Sequence, residues 1–339
     1  MTEFKEAKWW KEGKNGKIIC TLCPRYCELG EGQKGFCYIR ENINGKLYST
    51  GYGRPTGFGL DPIEKKPLFH FLPGTSVLSF GTAGCNLGCK FCQNWTMSKS
   101  KLEDVNALYA SPEDVVKLAL QYNAPSIAYT YNDPTIFGEY VIDISQIARN
   151  SGIRNVMVTA GYIDKKARKD VYKYIDAANV DLKAFSEDFY RKLTLSHIAP
   201  VLDTLRWIKN ETDIWLEITT LLIPGENDSD DELKAMADWI VKNLGDEVPL
   251  HFTAFHPDFM MRDKNPTPHS TLIKARKIAL KAGIKYCYVG NVHDYEGETT
   301  YCPNCGKPLV KRDWHSVYEN NLVDGKCPDC GTAIAGVFE

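Results

Sequence analysis

Short apolar runs alternate with amphipathic stretches over most of this chain. Residues 76–80, 126–130, 154–159, 178–183, 214–222, 248–255 and 285–289 are brief runs rich in branched and aromatic side chains, bounded by turn residues, and each predicts a strand. Between them lie helical patterns. The first opens on Ser111-Pro112-Glu113-Asp114, an N-cap with proline at the first helical position and acids in the first turn, and runs to Gln121. Others cover 136–148, a polar stretch from Asp164, the residues up to Ile208, 230–243 and 271–282. This succession predicts an α/β fold, with a parallel sheet curled into a partial or full (β/α) barrel over residues 76–295.

The pattern breaks at both ends. Within 1–75, Cys20, Cys23, Cys27 and Cys37 form C-x2-C-x3-C-x9-C among Pro and Gly turns. A segment this short buries too little apolar area to fold without a staple, so a metal is expected there. Spacing leaves zinc and an auxiliary iron–sulfur cluster both open. Residues 46–50 read as a strand leading into Gly51-Tyr-Gly53-Arg-Pro55-Thr-Gly57. Pro55 and the lack of a following helix exclude a dinucleotide loop, and a turn-rich connection is expected. Residues 61–74 crowd charges, prolines and aromatics before the first barrel strand. Within 296–339, Cys302-Pro-Asn-Cys305-Gly and Cys327-Pro-Asp-Cys330-Gly make a zinc-ribbon pattern, with a rubredoxin-like iron site as the alternative.

Composition narrows the class. The twelve cysteines of the 339 residues fall into these two quartets, one triad and Cys287, an arrangement that favours metal sites in a reducing compartment over disulfides. A net charge of −2 with interspersed signs argues against nucleic-acid and membrane-surface partners. No stretch approaches the ~20 apolar residues of a membrane span, and residues 1–10 lack the apolar core of a signal peptide, so a cytoplasmic protein is expected.

The triad carries the chemistry. Gly81-Thr-Ala-Gly-Cys85-Asn-Leu-Gly-Cys89-Lys-Phe-Cys92-Gln-Asn94 places three cysteines as C-x3-C-x2-C in a glycine-rich loop after a buried strand. A four-iron cubane usually takes four thiolates, so a triad can leave one iron open to a cofactor. A fourth cysteine from elsewhere would instead give a closed site. In such barrels reactive groups sit where strands end, because the βα loops gather on that face. This rule nominates Asn132 and Asp133, Thr159, Asp181 and Lys183, Glu217 and Thr219, and His251. Asp133, before Pro134, also suits a helix cap. Asp181 and Lys183 share a strand face and can form a structural pair. His251, flanked by apolar residues, can be a satisfied core histidine.

The cluster loop resembles the signature of the radical S-adenosylmethionine (SAM) superfamily. Thr159-Ala-Gly161, Asp181-Leu-Lys183 and Ile223-Pro-Gly225-Glu-Asn-Asp228 resemble its SAM-binding elements, while Tyr129-Thr-Tyr-Asn-Asp133 stands where many members have Gly-Gly-Glu. With the Cys20–Cys37 segment, Asp61-Pro-Ile-Glu-Lys-Lys-Pro67 and Phe255-His-Pro-Asp258, nearly the whole chain resembles the radical SAM enzymes of the AmmeMemoRadiSam system, a group similar to pyruvate formate-lyase activating enzymes. The resemblance implies a [4Fe-4S] cluster on Cys85, Cys89 and Cys92, with SAM held by the open iron and by Asn132, Asp133, Thr159, Asp181, Lys183 and Thr219. It further implies a substrate beside Glu217 and His251, a ferredoxin or flavodoxin reductant, an anaerobic setting, and association with Memo-like and AMMECR-like proteins. A second expectation is activation of a glycyl-radical enzyme, although residues 93–125 lack the auxiliary cysteines many such activases carry there. A third is a non-enzymatic zinc-rich binding module.

Overall fold

The computed structural model describes residues 4–105 and 107–339. Its centre is an eight-stranded sheet in which β1 (Thr56–Pro62) is followed by β2 (Ser76–Gly81), β3 (Ser126–Tyr129), β4 (Arg154–Thr159), β5 (Ala177–Asp181), β6 (Trp215–Leu222), β7 (Leu250–Ala254) and β8 (Cys287–Gly290) in spatial as well as chain order. Strands β2 to β8 are parallel, and β1 pairs antiparallel with β2. No pairing joins β1 to β8 among the described residues, so the sheet is open and the partial-barrel expectation is the one that holds.

Helices α1 (Pro112–Gln121), α2 (Gly138–Asn150), α3 (Lys165–Val171), α4 (Ile198–Glu211), α5 (Asp230–Leu244) and α6 (His269–Lys281) form the crossovers. Their starts follow the cap chemistry of the sequence. Ser111 and Asp114 form a reciprocal capping box on α1, and Asp164 and Ser229 cap α3 and α5. The buried residues of α2, including Tyr140, Val141, Ile144 and Ala148, recur at three and four places and join the main core.

β1 departs from the sequence reading, which gave 51–57 only as a connection. It carries Gly57 and Gly59 and ends on Pro62, residues that weaken a strand signal, and it survives as an edge strand where such residues are tolerated. The amino-terminal segment also builds more than a knuckle. Lys5–Glu6, Lys46–Ser49 and Arg40–Ile43 form one three-stranded sheet, and Trp10–Glu12, Ile18–Cys20 and Glu28–Leu29 form another. A buried ion pair fastens this segment to α2: Arg40 donates to both oxygens of Glu139 at 2.9 and 2.8 Å, and Lys8 N–H donates to the same carboxylate at 2.9 Å.

At the other end, Thr300–Tyr301, Pro308–Asp313 and Ser316–Asn320 form an antiparallel sheet that carries the ribbon. Its last stretch returns to the barrel, where Val337 bridges Phe71. No described helix is long and apolar enough to cross a membrane.

Both partners of the Arg40–Glu139 pair are buried, so removing one charge strands the other. Glu139→Gln is expected to cost about 3–5 kcal/mol, seen as a lower urea midpoint. An unchanged midpoint would show that this pair does not hold the amino-terminal segment in place.

Candidate active site

The strand ends open on a cavity of about 400 Å³, within the range of pockets that enclose small ligands. Cys85, Cys89 and Cys92 all line it, and no other cysteine does among the described residues. A loop carrying three thiols to one wall must fold back tightly, and its glycines allow that. Gly84 has a φ of +79°, and a Cβ there would lie 1.9 Å from the carbonyl oxygen of Cys37. A Cβ on Gly81 would lie 2.6 Å from the Thr130 carbonyl.

Polar groups hold the loop in shape. Leu87 N–H faces the Cys85 sulfur at 3.5 Å, and the Ser98 hydroxyl lies 3.1 Å from the sulfur of Cys92. Gly88 and Lys90 donate backbone bonds to Thr194 and Leu193. Asn132 clamps the loop to the end of β3: its amide donates to Thr82 Oγ1 at 3.1 Å and Gly84 O at 2.7 Å, and its Oδ1 accepts from Thr82 N at 3.2 Å. Burial pushes the Cys89 thiol up to about 12, against the pull of the nearby Lys183 ammonium. A bound iron ion would reverse that preference, since a ligating thiol loses its proton.

The other nominated residues gather around the same cavity with one exception. Asn132, Asp133, Thr159, Asp181, Lys183, Thr219 and His251 line it, and Glu217 does not. Asp133 acts first as a cap: Oδ1 accepts from Thr135 N at 2.9 Å, Oδ2 from Ala160 N at 2.8 Å, and Thr159 Oγ1 lies within reach of both. Lys183 Nζ meets Asp181 Oδ2 at 2.5 Å. Burial opposes the Lys183 charge, but Asp181 and the Cys89 sulfur raise its pKa above the ordinary lysine value. Thr219 Oγ1 is buried with no hydrogen-bond partner. A buried hydroxyl left unpaired costs about 1–3 kcal/mol, so a polar ligand group in the cavity would relieve it.

Glu217 differs from the expectation of a group beside the substrate. Its carboxylate is fully buried and accepts from Phe69 N (3.0 Å), His70 N (2.8 Å), Trp215 Nε1 (3.0 Å) and His251 Nε2 (2.7 Å). Burial raises its pKa, yet His251 and the other partners more than compensate and leave it lowered. Glu217 therefore orients His251 and Phe69, which line the cavity, without lining it itself.

Several lining residues lie in stretches from which the sequence singled out no individual side chain. Lys65 and Lys66 pair with Asp61, at 2.7 Å each, and the Tyr131 hydroxyl donates to the same carboxylate at 2.9 Å. Burial works against the Asp61 charge, but these three donors hold its carboxyl well below the usual range. Trp314 and His315, from the tip of the carboxyl-terminal hairpin, and Glu298 complete the mouth. A sequence signal existed for the lysines in the charge density of 61–66. None existed for the hairpin, which arrives from far along the chain.

The two quartets differ. The sulfurs of Cys302, Cys305, Cys327 and Cys330 all lie within 4.8 Å of one another, with Cys302 and Cys330 at 3.5 Å and Cys305 and Cys327 at 3.7 Å. Tetrahedral coordination at the usual zinc–thiolate bond length places sulfurs about 3.8 Å apart. The ribbon thus fits a single four-coordinate metal such as zinc. Cys287 is buried in β8, as a small hydrophobe would be.

Residues 80–240 match the Radical SAM superfamily. An uncharacterized protein of Methanocaldococcus jannaschii is 45% identical over 333 residues, spanning 98% of this chain and 99% of that protein. The pyruvate formate-lyase-activating enzyme of Clostridium pasteurianum is 23% identical over 54% of this chain and 76% of its own length. The crystal structure of a radical SAM methyltransferase from Sphaerobacter thermophilus superposes with a TM-score of 0.51 at 17% identity, over 65% of this chain and 67% of that one.

Burial lifts the Glu298 carboxyl from its ordinary 4.5 to about 7. The folded protein therefore holds a proton there that the unfolded chain has already released, and this contribution to stability, complete below pH 4.5, is lost as pH rises through about 7. Glu298→Gln should flatten the profile of Tm against pH across that window. Superimposable profiles for the two proteins would contradict it.

Proposed function

The chain belongs to the radical SAM superfamily, and from that premise we propose that it abstracts hydrogen from a small-molecule or protein substrate held over the carboxyl ends of the strands. The observation that carries this reading is the convergence of three cysteines, the Asp181–Lys183 pair and the unpaired Thr219 hydroxyl on one cavity. Enzymes of this superfamily use a [4Fe-4S] cluster and SAM, which together supply a 5′-deoxyadenosyl radical upon one-electron reduction. Here Cys85, Cys89 and Cys92 would hold the cluster, and three thiolates for four irons leave one position to SAM.

The remaining residues bind and position. Lys183, charged and restrained by Asp181, suits the SAM carboxylate, and Thr219 Oγ1 can donate to the sugar or carboxylate. Asn132 and Asp133 fix the loop and the ends of β3 and β4 that flank the ligand, so their contribution to SAM binding is in large part the shape of the cavity. His251, held by Glu217, faces the substrate side. Lys66, Trp314 and His315 narrow the mouth and exclude water from the space where a radical would persist. Burial and the charges of Lys65 and Lys66 lower the His315 pKa to about 4, so its ring is neutral at pH 7.

The segments 61–67 and 255–258 support placing the chain with the enzymes of the AmmeMemoRadiSam system, with Memo-like and AMMECR-like proteins as partners and a ferredoxin or flavodoxin as cytoplasmic electron donor. Similarity to the Clostridium pasteurianum activating enzyme keeps glycyl-radical activation as a second reading. Nothing in the comparisons favours the non-enzymatic module.

Anaerobically reconstituted protein, reduced with dithionite in the presence of SAM, should form 5′-deoxyadenosine, and Cys89→Ala should abolish it. Absence of the nucleoside from a loaded, reducible protein would overturn the reading. Lys183→Met is expected to raise the SAM concentration for half-maximal cleavage by about 10- to 100-fold, the worth of a charged hydrogen bond, and an unchanged value would remove Lys183 from the SAM site.

A further inference from the structure

The amino-terminal quartet is built on a different scale from the ribbon. Cys20, Cys23, Cys27 and Cys37 all face one small cavity of about 10 Å³. That is about the space of one water-sized sphere, whereas four thiolates drawn in to a zinc ion at the usual bond length leave no such space between them. Among the described residues the ribbon quartet gathers its sulfurs within 4.8 Å of one another, whereas no three of the amino-terminal sulfurs come so close. A single tetrahedral zinc needs all its sulfurs about 3.8 Å apart. Four thiolates on the corners of a cubane stand about 6 Å apart, because each ligates a different iron.

The walls suit a polynuclear dianion. Leu22, Phe36 and Ile136 give an apolar lining. The backbone amides of Leu22, Arg25 and Ile39, each two residues beyond a cysteine, lie near the sulfurs of Cys20, Cys23 and Cys37. The buried Arg40 guanidinium sits near Cys20 and Cys37 and offsets thiolate charge. The pocket also touches the catalytic loop directly: Asn86, next to Cys85, is part of its wall, and the Arg25 guanidinium donates to the Asn86 carbonyl.

We propose that Cys20, Cys23, Cys27 and Cys37 bind a second, closed iron–sulfur cluster and not a zinc ion. All four irons of a four-iron cluster would have protein thiolates, so this site would not bind SAM. The assignment stands apart from the radical chemistry, since it rests on these four cysteines and the cavity they face.

The test is a metal count on the whole chain after anaerobic reconstitution with iron and sulfide, with zinc present. The expected result is about eight irons and one zinc per chain. About four irons and two zincs would overturn the proposal. Spectroscopy on a Cys85→Ala, Cys89→Ala, Cys92→Ala variant separates the two sites. It should keep about four irons and, once reduced, an electron paramagnetic resonance signal that SAM leaves unchanged. An iron-free, two-zinc variant would overturn the assignment. If this variant does not fold, the wild-type iron-to-zinc ratio decides. Failure of 5′-deoxyadenosine formation would leave both counts untouched, so the two readings fail separately.

Discussion

A carboxylate taken out of water costs several kcal/mol unless its lone pairs are filled, and Glu217 fills its own from three parts of the chain. Phe69 and His70 give backbone N–H groups from the lead-in, Trp215 gives its indole from the same strand, and His251 gives its ring from the next. The lead-in is thereby pinned beneath the sheet, and the contacts propagate. Phe69 O accepts from Arg312 at 2.6 Å, while the His70 ring bridges Ala335 O and Tyr288 Oη, each at 2.6 Å. Lead-in, sheet and carboxyl-terminal segment meet around one buried negative charge.

The opposite side of the cavity depends on close approach. Gly84 and Gly88 let the loop lie against Cys37 and Leu195, and Asn132 ties the same loop to β3. Arg40 and Glu139 then tie the amino-terminal segment, which carries Cys37 behind the loop, to α2. The cavity is thus bounded by the three regions that the sequence presents as separate blocks.

What the sequence made legible was local. Periodicity located all seven parallel strands, because a buried parallel strand is a short apolar run between turn residues. The cysteine spacings pointed to the ribbon and to the cluster loop for the same reason: their cysteines lie within one loop or one pair of knuckles. β1 was hidden by glycines and exposed positions, which leave an edge strand without an apolar pattern. Glu217 could be read as interior and paired, but the identity of its donors, 147 and 148 residues away for the two backbone groups, has no signature in the chain. Lys66, Trp314 and His315 reach the cavity through tertiary contacts of the same kind. Asp133 carried both a cap signal and a site signal, and its geometry satisfies the cap with the same oxygens that face Thr159.

The bridge between Val337 and Phe71 has a consequence for the order of synthesis. Chains fold from the amino terminus as they leave the ribosome, and the lead-in and all seven parallel strands are made before Arg312 and Val337. Until then Phe69 O lacks its guanidinium donor and one side of the cavity mouth stands open. Until the hairpin is made, the cavity that Cys85, Cys89 and Cys92 line lacks the wall that Trp314 and His315 supply. The hairpin bearing Trp314 and His315 is thus the last part of the cavity's lining to be made.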